Sequence, residues 1–232
     1  MNELSKPVLP GSAASDYERY LRTDELLALQ KTADEWVHRD ELLFQSVHQT
    51  SEIWLKLAWN EVEEAARLVA SDGLPAALRL LRRANDCLQL VTSALEMLEH
   101  MSPWEYTEVR KALGHGSGFD SPGFLELRRV AKTAGEEFHA ARERAGLSLV
   151  EVYTRGREHE DLYALAEQLI ELDERIAVWR VRHFKVVQRT IGGDVVGTQG
   201  TPVEVMGRLI HHTLYPELWD VRNELTRLNP PE

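Results

Sequence analysis

Two histidines lie on apolar helical stripes, where an imidazole is unusual. His48 follows Phe44 by one turn on a ridge that steps by three and four residues through Val47, Ser51, Trp54, Leu55, Ala58 and Val62. This spacing predicts that His48 points inward. Because a buried imidazole costs free energy unless it is hydrogen-bonded, His48 either makes a structural hydrogen bond or faces a ligand cavity.

His183 lies in the middle of a longer apolar stripe, formed by Leu162, Leu165, Leu169, Leu172, Ile176, Trp179, Val186 or Val187, and Ile191. A haem ligand is held in this way: the neutral imidazole gives Nε2 to iron, apolar neighbours keep water away, and Nδ1 needs an acceptor that sets its orientation. The alternative is a histidine that is hydrogen-bonded within the core. The apolar stripe alone is compatible with both interpretations of His183.

Tyr106 and Arg110 are one turn apart on a short helix and share a face with Val109 and Leu113. A guanidinium beside a phenol can clamp the carboxylate of an amino acid. The alternative is an arginine paired with a surface acid, which is common in a chain with 38 acidic residues.

The elements that must position these residues are helices. Apolar residues recur every three or four positions without alternating stretches, which predicts an all-α fold. Residues 1–15 are predicted to form a mobile arm, and 16–232 a single helical bundle. Long helices are expected at about 40–70, 75–100, 123–146 and 149–191, the last with a break near Gly156. SPWEYTEVRKALG carries a capping box, Ser102 with Glu105, and ends at Gly114.

Two glycine-rich loops, 114–123 and 192–202, can bring backbone close to a ligand. Neither follows a strand, so dinucleotide and phosphate-loop motifs are excluded by context. Thr198 in the second loop offers a hydroxyl to a ligand or only terminates the preceding helix.

Composition narrows the class of protein. The formal net charge of −11 over 232 residues argues against nucleic acid as a partner. The single Cys87 excludes a disulfide framework and fits a cytoplasmic location. No apolar run is long enough to span a membrane, and no secretory leader is recognised at the start.

Several blocks resemble the tryptophan 2,3-dioxygenase family, and they follow the family's order over nearly the whole chain. DELLFQSVHQTSEIWLKL at 40–57 resembles its signature helix, and SPWEYTEVRKALGHGSGFDS at 102–121 its Tyr-x-x-x-Arg helix and following loop. WRVRHFKVVQRTIG at 179–192 resembles its haem-ligand helix, and GTQGT, YPELWDVR and DYERYLRTDELLALQ are similar to further family segments.

The resemblance implies a haem b cofactor, with His183 as the axial iron ligand and His48 as the catalytic residue that accepts a hydrogen bond from the indole N–H. It further implies that Phe44 packs on the indole, Arg110 and Tyr106 hold the substrate carboxylate, Thr198 contacts the ammonium and carboxylate end, and Ser117 and Gly118 line the site. Tyr17, Tyr20 and Leu21 match the arm that enters a neighbouring subunit's site, which implies a homo-oligomer, expected to be a tetramer.

The implied reaction inserts both atoms of O₂ across C2–C3 of L-tryptophan or a close analogue, giving an N-formylkynurenine. The segment between Arg110 and His183 is shorter than is typical of the family, the loop to Thr198 is one residue longer, and His115, Gly116 and Leu95 are unexpected near the site. These departures keep an alternative open: a related haem monooxygenase that converts a substituted tryptophan to an oxindole-type product. A non-catalytic helical assembly protein is the third hypothesis.

Overall fold

The computed structural model describes residues 6–228, so the first five residues of the predicted arm and the last four of the chain lie outside the described residues. The described part forms ten α-helices: α1 (Asp16–Leu21), α2 (Thr23–Leu27), α3 (Glu41–Ala70), α4 (Leu74–Glu96), α5 (Pro103–Ala112), α6 (Pro122–Arg144), α7 (Leu149–Thr154), α8 (Glu160–Ile191), α9 (Val203–Leu209) and α10 (Pro216–Leu228). Short 3₁₀ turns occupy Met97–His100 and Gly118–Asp120. Within 6–228 the only β pairing is a bridge between Val196 and Pro202. The predicted all-α fold is confirmed.

The four long helices α3, α4, α6 and α8 pack together around the main core. Leu55, Leu81, Phe138 and Leu169 each expose at most 1% of their surface. Full burial of such a side chain contributes about 1.5–3 kcal/mol. The α8 stripe from Leu162 to Ile176 lies in this core, as its spacing predicts.

A second, smaller apolar cluster lies where the N-terminal half of α3 meets the C-terminal half of α8. Its buried members are Val47, Leu95, Leu98, Met101, Val109 and Val186. Leu95, unexpected near the site, packs in this cluster. Trp54 departs from the predicted inward ridge: it is 36% exposed, whereas Leu55 and Ala58, which expose at most 1%, mark the face of α3 that is buried.

Helix ends follow the capping signals of the sequence. Ser102 accepts from the Glu105 backbone N–H while the Glu105 carboxylate accepts from the Ser102 N–H, which confirms the predicted capping box at the start of α5. The same reciprocal arrangement begins α7 at Ser148 and Glu151. The predicted break near Gly156 separates α7 from α8.

The N-terminal segment stands apart from this packing. Neither α1 nor α2 contains a buried residue. The Asp16 carboxylate accepts from the backbone N–H groups of Val8 and Leu9, and Arg19 donates to the Leu9 and Ala13 carbonyls, so residues 8–19 form a locally bonded unit. None of the described helices is both long and apolar enough to cross a membrane.

Candidate active site

A cavity of about 240 Å³ lies between the N-terminal parts of α3 and α6, helix α5, the C-terminal half of α8 and the two glycine-rich loops. Eight of the residues singled out from the sequence line it together: Phe44, His48, Tyr106, Arg110, Ser117, Gly118, His183 and Thr198. They come from positions up to 154 residues apart, between Phe44 and Thr198. The fold therefore brings motifs that are far apart in the sequence together at one site.

His48 and Phe44 form one wall of the cavity. Their rings stack with centroids 4.0 Å apart, and the His48 Nδ1 lies 2.7 Å from the Phe44 carbonyl oxygen. Because a carbonyl oxygen only accepts, Nδ1 must carry the proton, and the lone pair is left on Nε2. His48 is exposed to solvent through the open cavity, but the protein atoms around it partly desolvate the ring and lower its pKa; the Phe44 hydrogen bond and Glu52 oppose this effect. His48 thus presents a neutral acceptor at neutral pH.

Tyr106 and Arg110 approach the same wall from α5. The Tyr106 and Phe44 ring centroids are 6.4 Å apart, and burial raises the pKa of Tyr106, so it remains a phenol. Arg110 donates from Nη2 to the Val196 carbonyl at 3.0 Å. The described residues give it no carboxylate partner, so its remaining N–H groups are available to an anion.

His183 faces the cavity from α8. Its imidazole stacks on Trp179 with a centroid distance of 4.9 Å and an interplanar angle of 7°. Burial, and to a smaller extent the charge of His48, lowers the pKa of His183 to about 4, so the ring is neutral at physiological pH. Within residues 6–228 no acceptor contacts its Nδ1, contrary to the expectation from the sequence; the stack on Trp179 orients the ring instead.

The two glycine-rich loops close over the cavity by binding each other. Thr198 donates its hydroxyl to the Gly116 carbonyl, and the Gln199 amide donates to Asp120 at 2.7 Å. Ser117 caps the short turn that contains Gly118. A Cβ at Gly118 would lie 3.7 Å from Cε1 and 3.8 Å from Nε2 of His183, so any longer side chain would fill the space in front of this imidazole. His115 is exposed and does not line the cavity.

Tyr17, Tyr20 and Leu21 do not line the cavity of their own chain. They are 68%, 78% and 45% exposed on α1. Sequence reasoning missed two arginines that do line it, Arg128 and Arg180. Arg180 carried a usable signal, since it precedes His183 by three residues and so lies on a neighbouring face of the same helix. Arg128 carried none, because an arginine on an exposed helix face is ordinary.

Comparison with known proteins decides the family. A sequence model described as tryptophan 2,3-dioxygenase matches residues 2–132. The chain belongs to the tryptophan 2,3-dioxygenase family. Proteins named tryptophan 2,3-dioxygenase from Bacillus thuringiensis, Kineococcus radiotolerans and Caulobacter vibrioides are 30%, 32% and 31% identical to it. Each alignment covers 90% of this chain and 92%, 91% and 98% of the respective relative.

The alignments also bear on the length of this family member. Each of these three spans 260 positions but covers only 90% of a 232-residue chain, about 209 residues. About 50 aligned positions therefore have no residue here. This agrees with the prediction that the chain is a shortened member of the tryptophan 2,3-dioxygenase family.

Proposed function

We propose that this protein is a haem-dependent L-tryptophan 2,3-dioxygenase, which adds both atoms of O₂ across C2–C3 of the indole to give N-formyl-L-kynurenine. The observation that carries the proposal is the convergence of His48, Tyr106, Arg110 and His183 on one cavity in a chain of this family. The relatives' names favour this function over the monooxygenase and over a non-catalytic assembly protein.

The residues around His183 fit a haem. The imidazole is neutral and desolvated, has no hydrogen bond within 6–228, and is flanked by apolar residues such as Trp179 and Val186. A neutral imidazole in such surroundings is a good iron ligand. Bound haem would supply the iron that binds and activates O₂. Gly118 faces this imidazole, and a side chain at that position would take up space in front of Nε2.

The opposite wall suits the indole ring of the substrate. The Nε2 lone pair of His48 can accept the indole N–H, because Nδ1 is committed to the Phe44 carbonyl. The Phe44 ring offers an aromatic face to the indole. His48 would therefore fix the orientation of the indole ring, and with it the C2–C3 bond, within the cavity.

The amino-acid end of the substrate is assigned to the polar side of the cavity. Arg110, which pairs with no carboxylate among the described residues, binds the substrate carboxylate in a charge-assisted pair, and the Tyr106 phenol donates beside it. Thr198 contacts the ammonium and carboxylate end, while Ser117 and Gly118 line the closing loop. Since the Thr198 hydroxyl bonds to Gly116, substrate contact and loop closure share one side chain.

A neighbouring subunit completes the site in this proposal, and the assembly is a homotetramer. The support is an N-terminal apolar surface, which we define as Val8, Tyr17, Tyr20, Leu21, Leu27 and Leu29; these side chains are 45–87% exposed. Large exposed apolar side chains that recur within one segment commonly mark a protein interface. We propose the cytoplasm as its location, since the single cysteine fits a reducing compartment.

Product mass tests the function. The haem-reconstituted, reduced protein is incubated with L-tryptophan and ¹⁸O₂, with methyl- and hydroxytryptophans in parallel. A gain of two labelled atoms is expected, and a gain of one would establish the monooxygenase instead. Absence of a Soret band after reconstitution, or full turnover by His183→Ala, would refute a haem enzyme of either kind.

A further inference from the structure

The charged residues that line the cavity are all cationic arginines. Arg110, Arg128 and Arg180 line it, and no aspartate or glutamate is found among the described lining residues. This is unexpected in a chain with a formal net charge of −11. A partly desolvated cation such as Arg180 costs free energy unless an anion pairs with it, and Arg128 adds a second positive charge near it. The cavity is therefore built for more than one negative charge.

Arg128 and Arg180 form a pair distinct from Arg110. They lie on α6 and α8. Burial lowers the pKa of Arg180, Asp173 opposes this effect, and the charge of Arg128 adds a smaller lowering. Arg110 instead lies near Tyr106, whose pKa its charge lowers against the larger effect of burial, and it donates to the Val196 carbonyl. The single carboxylate of tryptophan, which our proposed function assigns to Arg110, leaves the other two cations without a partner.

The protein itself does not satisfy this pair. Within residues 6–228 Arg128 makes no hydrogen bond or ion pair, although the neighbouring Arg129 pairs with Glu63 and Glu126. Arg180 donates one N–H to the His212 carbonyl at 2.6 Å and keeps the others free. Asp173 attracts Arg180 but makes no ion pair with it: its Oδ2 accepts from the Leu214, Tyr215 and Trp219 N–H groups, and its Oδ1 has no hydrogen-bond partner among the described residues.

We propose that Arg128 and Arg180 bind the two propionate carboxylates of the haem. This rests on the proposed function. Two guanidinium groups match two carboxylates in number and charge, and guanidinium is the cation best suited to bidentate carboxylate pairing. Arg180 lies one turn before His183 on α8, so one helix supplies both the iron ligand and an anchor for the rim of the macrocycle.

The proposal is tested by titrating the apoprotein with haemin and with haemin dimethyl ester, in which both carboxylates are masked, and following the Soret band. The wild type should bind haemin at least tenfold more tightly than the ester. Arg128→Gln/Arg180→Gln should bind haemin 10- to 100-fold more weakly and the ester as the wild type does. Each single variant should lose part of the preference. Arg129→Gln is the matched control, since its guanidinium already pairs with glutamates on the protein surface, and it should retain the wild-type preference.

Two results would overturn the assignment. One is a wild type that does not discriminate haemin from its ester; the other is a double variant that keeps the full preference. Arg128→Gln alone alters an exposed side chain and keeps the test valid if the double variant misfolds, which far-UV circular dichroism would reveal. A wild type that binds neither compound would refute the haem function itself, a different outcome.

Discussion

The imidazole of His183 illustrates how burial sets the chemistry of one residue. Its pKa is lowered to about 4 from an ordinary value of 6.5, so the folded chain holds the ring neutral. Above pH 6.5 the folded and unfolded states both carry the neutral ring. Between pH 6.5 and 4 this histidine binds a proton in the unfolded state but not in the folded state. The free energy of unfolding therefore falls as the pH falls.

We expect this linkage to be visible in the apoprotein. The free energy of unfolding of the wild type should fall between pH 7.5 and pH 4.5 by up to about 3 kcal/mol more than that of His183→Leu, since each pKa unit is worth about 1.4 kcal/mol. Urea titrations at both pH values measure the difference. His48 is present in both proteins, so its own titration contributes to both measurements. The same pH dependence in the two proteins would contradict a buried neutral His183.

Arg110 should determine affinity for the substrate carboxylate. Arg110→Ala is expected to lose about 2–5 kcal/mol of L-tryptophan binding, because a charge-assisted pair is removed and its partner is left unpaired. Equilibrium titration of the haem-loaded protein gives the value. Tryptamine, which lacks the carboxylate, is the matched ligand, and its affinity should change little. An equal loss for both ligands would mean that Arg110 only holds the 192–202 loop through Val196.

At the scale of elements, the close contact of α6 with α3 depends on a glycine. A Cβ at Gly123 would meet the Leu55 Cβ at 2.6 Å, and the Gly123 N–H donates to Glu52 at 3.0 Å. The backbone of α6 at Gly123 therefore packs directly against the Leu55 side chain of α3. This contact sets the distance between two walls of the cavity.

Gly123→Ala should lower the stability by roughly 1–3 kcal/mol, because the added methyl overpacks the contact. Gly207→Ala on α9 is the control, since its nearest neighbour would be a Phe184 ring atom at an ordinary 3.6 Å and alanine favours helix. Thermal unfolding should show a lower Tm for Gly123→Ala and an unchanged or higher one for Gly207→Ala. Equal Tm values would mean that the two helices shift apart freely.

The helices were predictable because their signals are local. The Ser102 capping box and the period of the α8 stripe depend on residues one to four positions apart, and both predictions are confirmed. The way the loops meet was not predictable. Thr198 and Gly116 are 82 residues apart, and their hydrogen bond depends on the packing of every helix between them. The same limit hid Arg128, whose place in the cavity is set by the approach of α6 to α8.

At the scale of the whole molecule, the proposal of a shared active site concerns surfaces that the isolated chain leaves uncovered. α1 and α2 bury none of their residues, so substitutions on them do not disturb the core of their own chain. Loss of function after such changes would then report on assembly rather than on folding. This separation allows a complementation experiment.

Tyr17→Ser/Tyr20→Ser/Leu21→Ser should be nearly inactive if the neighbour's arm completes each cavity, and so should His183→Ala. When the two are mixed and allowed to exchange subunits, activity should return to about a quarter of the wild-type value, as intact arms meet intact cavities at random. Steady-state turnover and light scattering follow the exchange. A triple variant that is fully active alone, or no recovery in exchanged mixtures, would contradict the shared site.

The two apolar clusters have a further consequence for how such a protein can change. The larger cluster holds α3, α4, α6 and α8 together, while the cavity is lined mainly by the smaller cluster and by loops held through a few side-chain hydrogen bonds. The structural and selective parts of the molecule are thus largely separate. A lineage can alter loop residues that line the cavity, such as Thr201, with little penalty to the bundle, so substrate preference can diverge while the scaffold is retained.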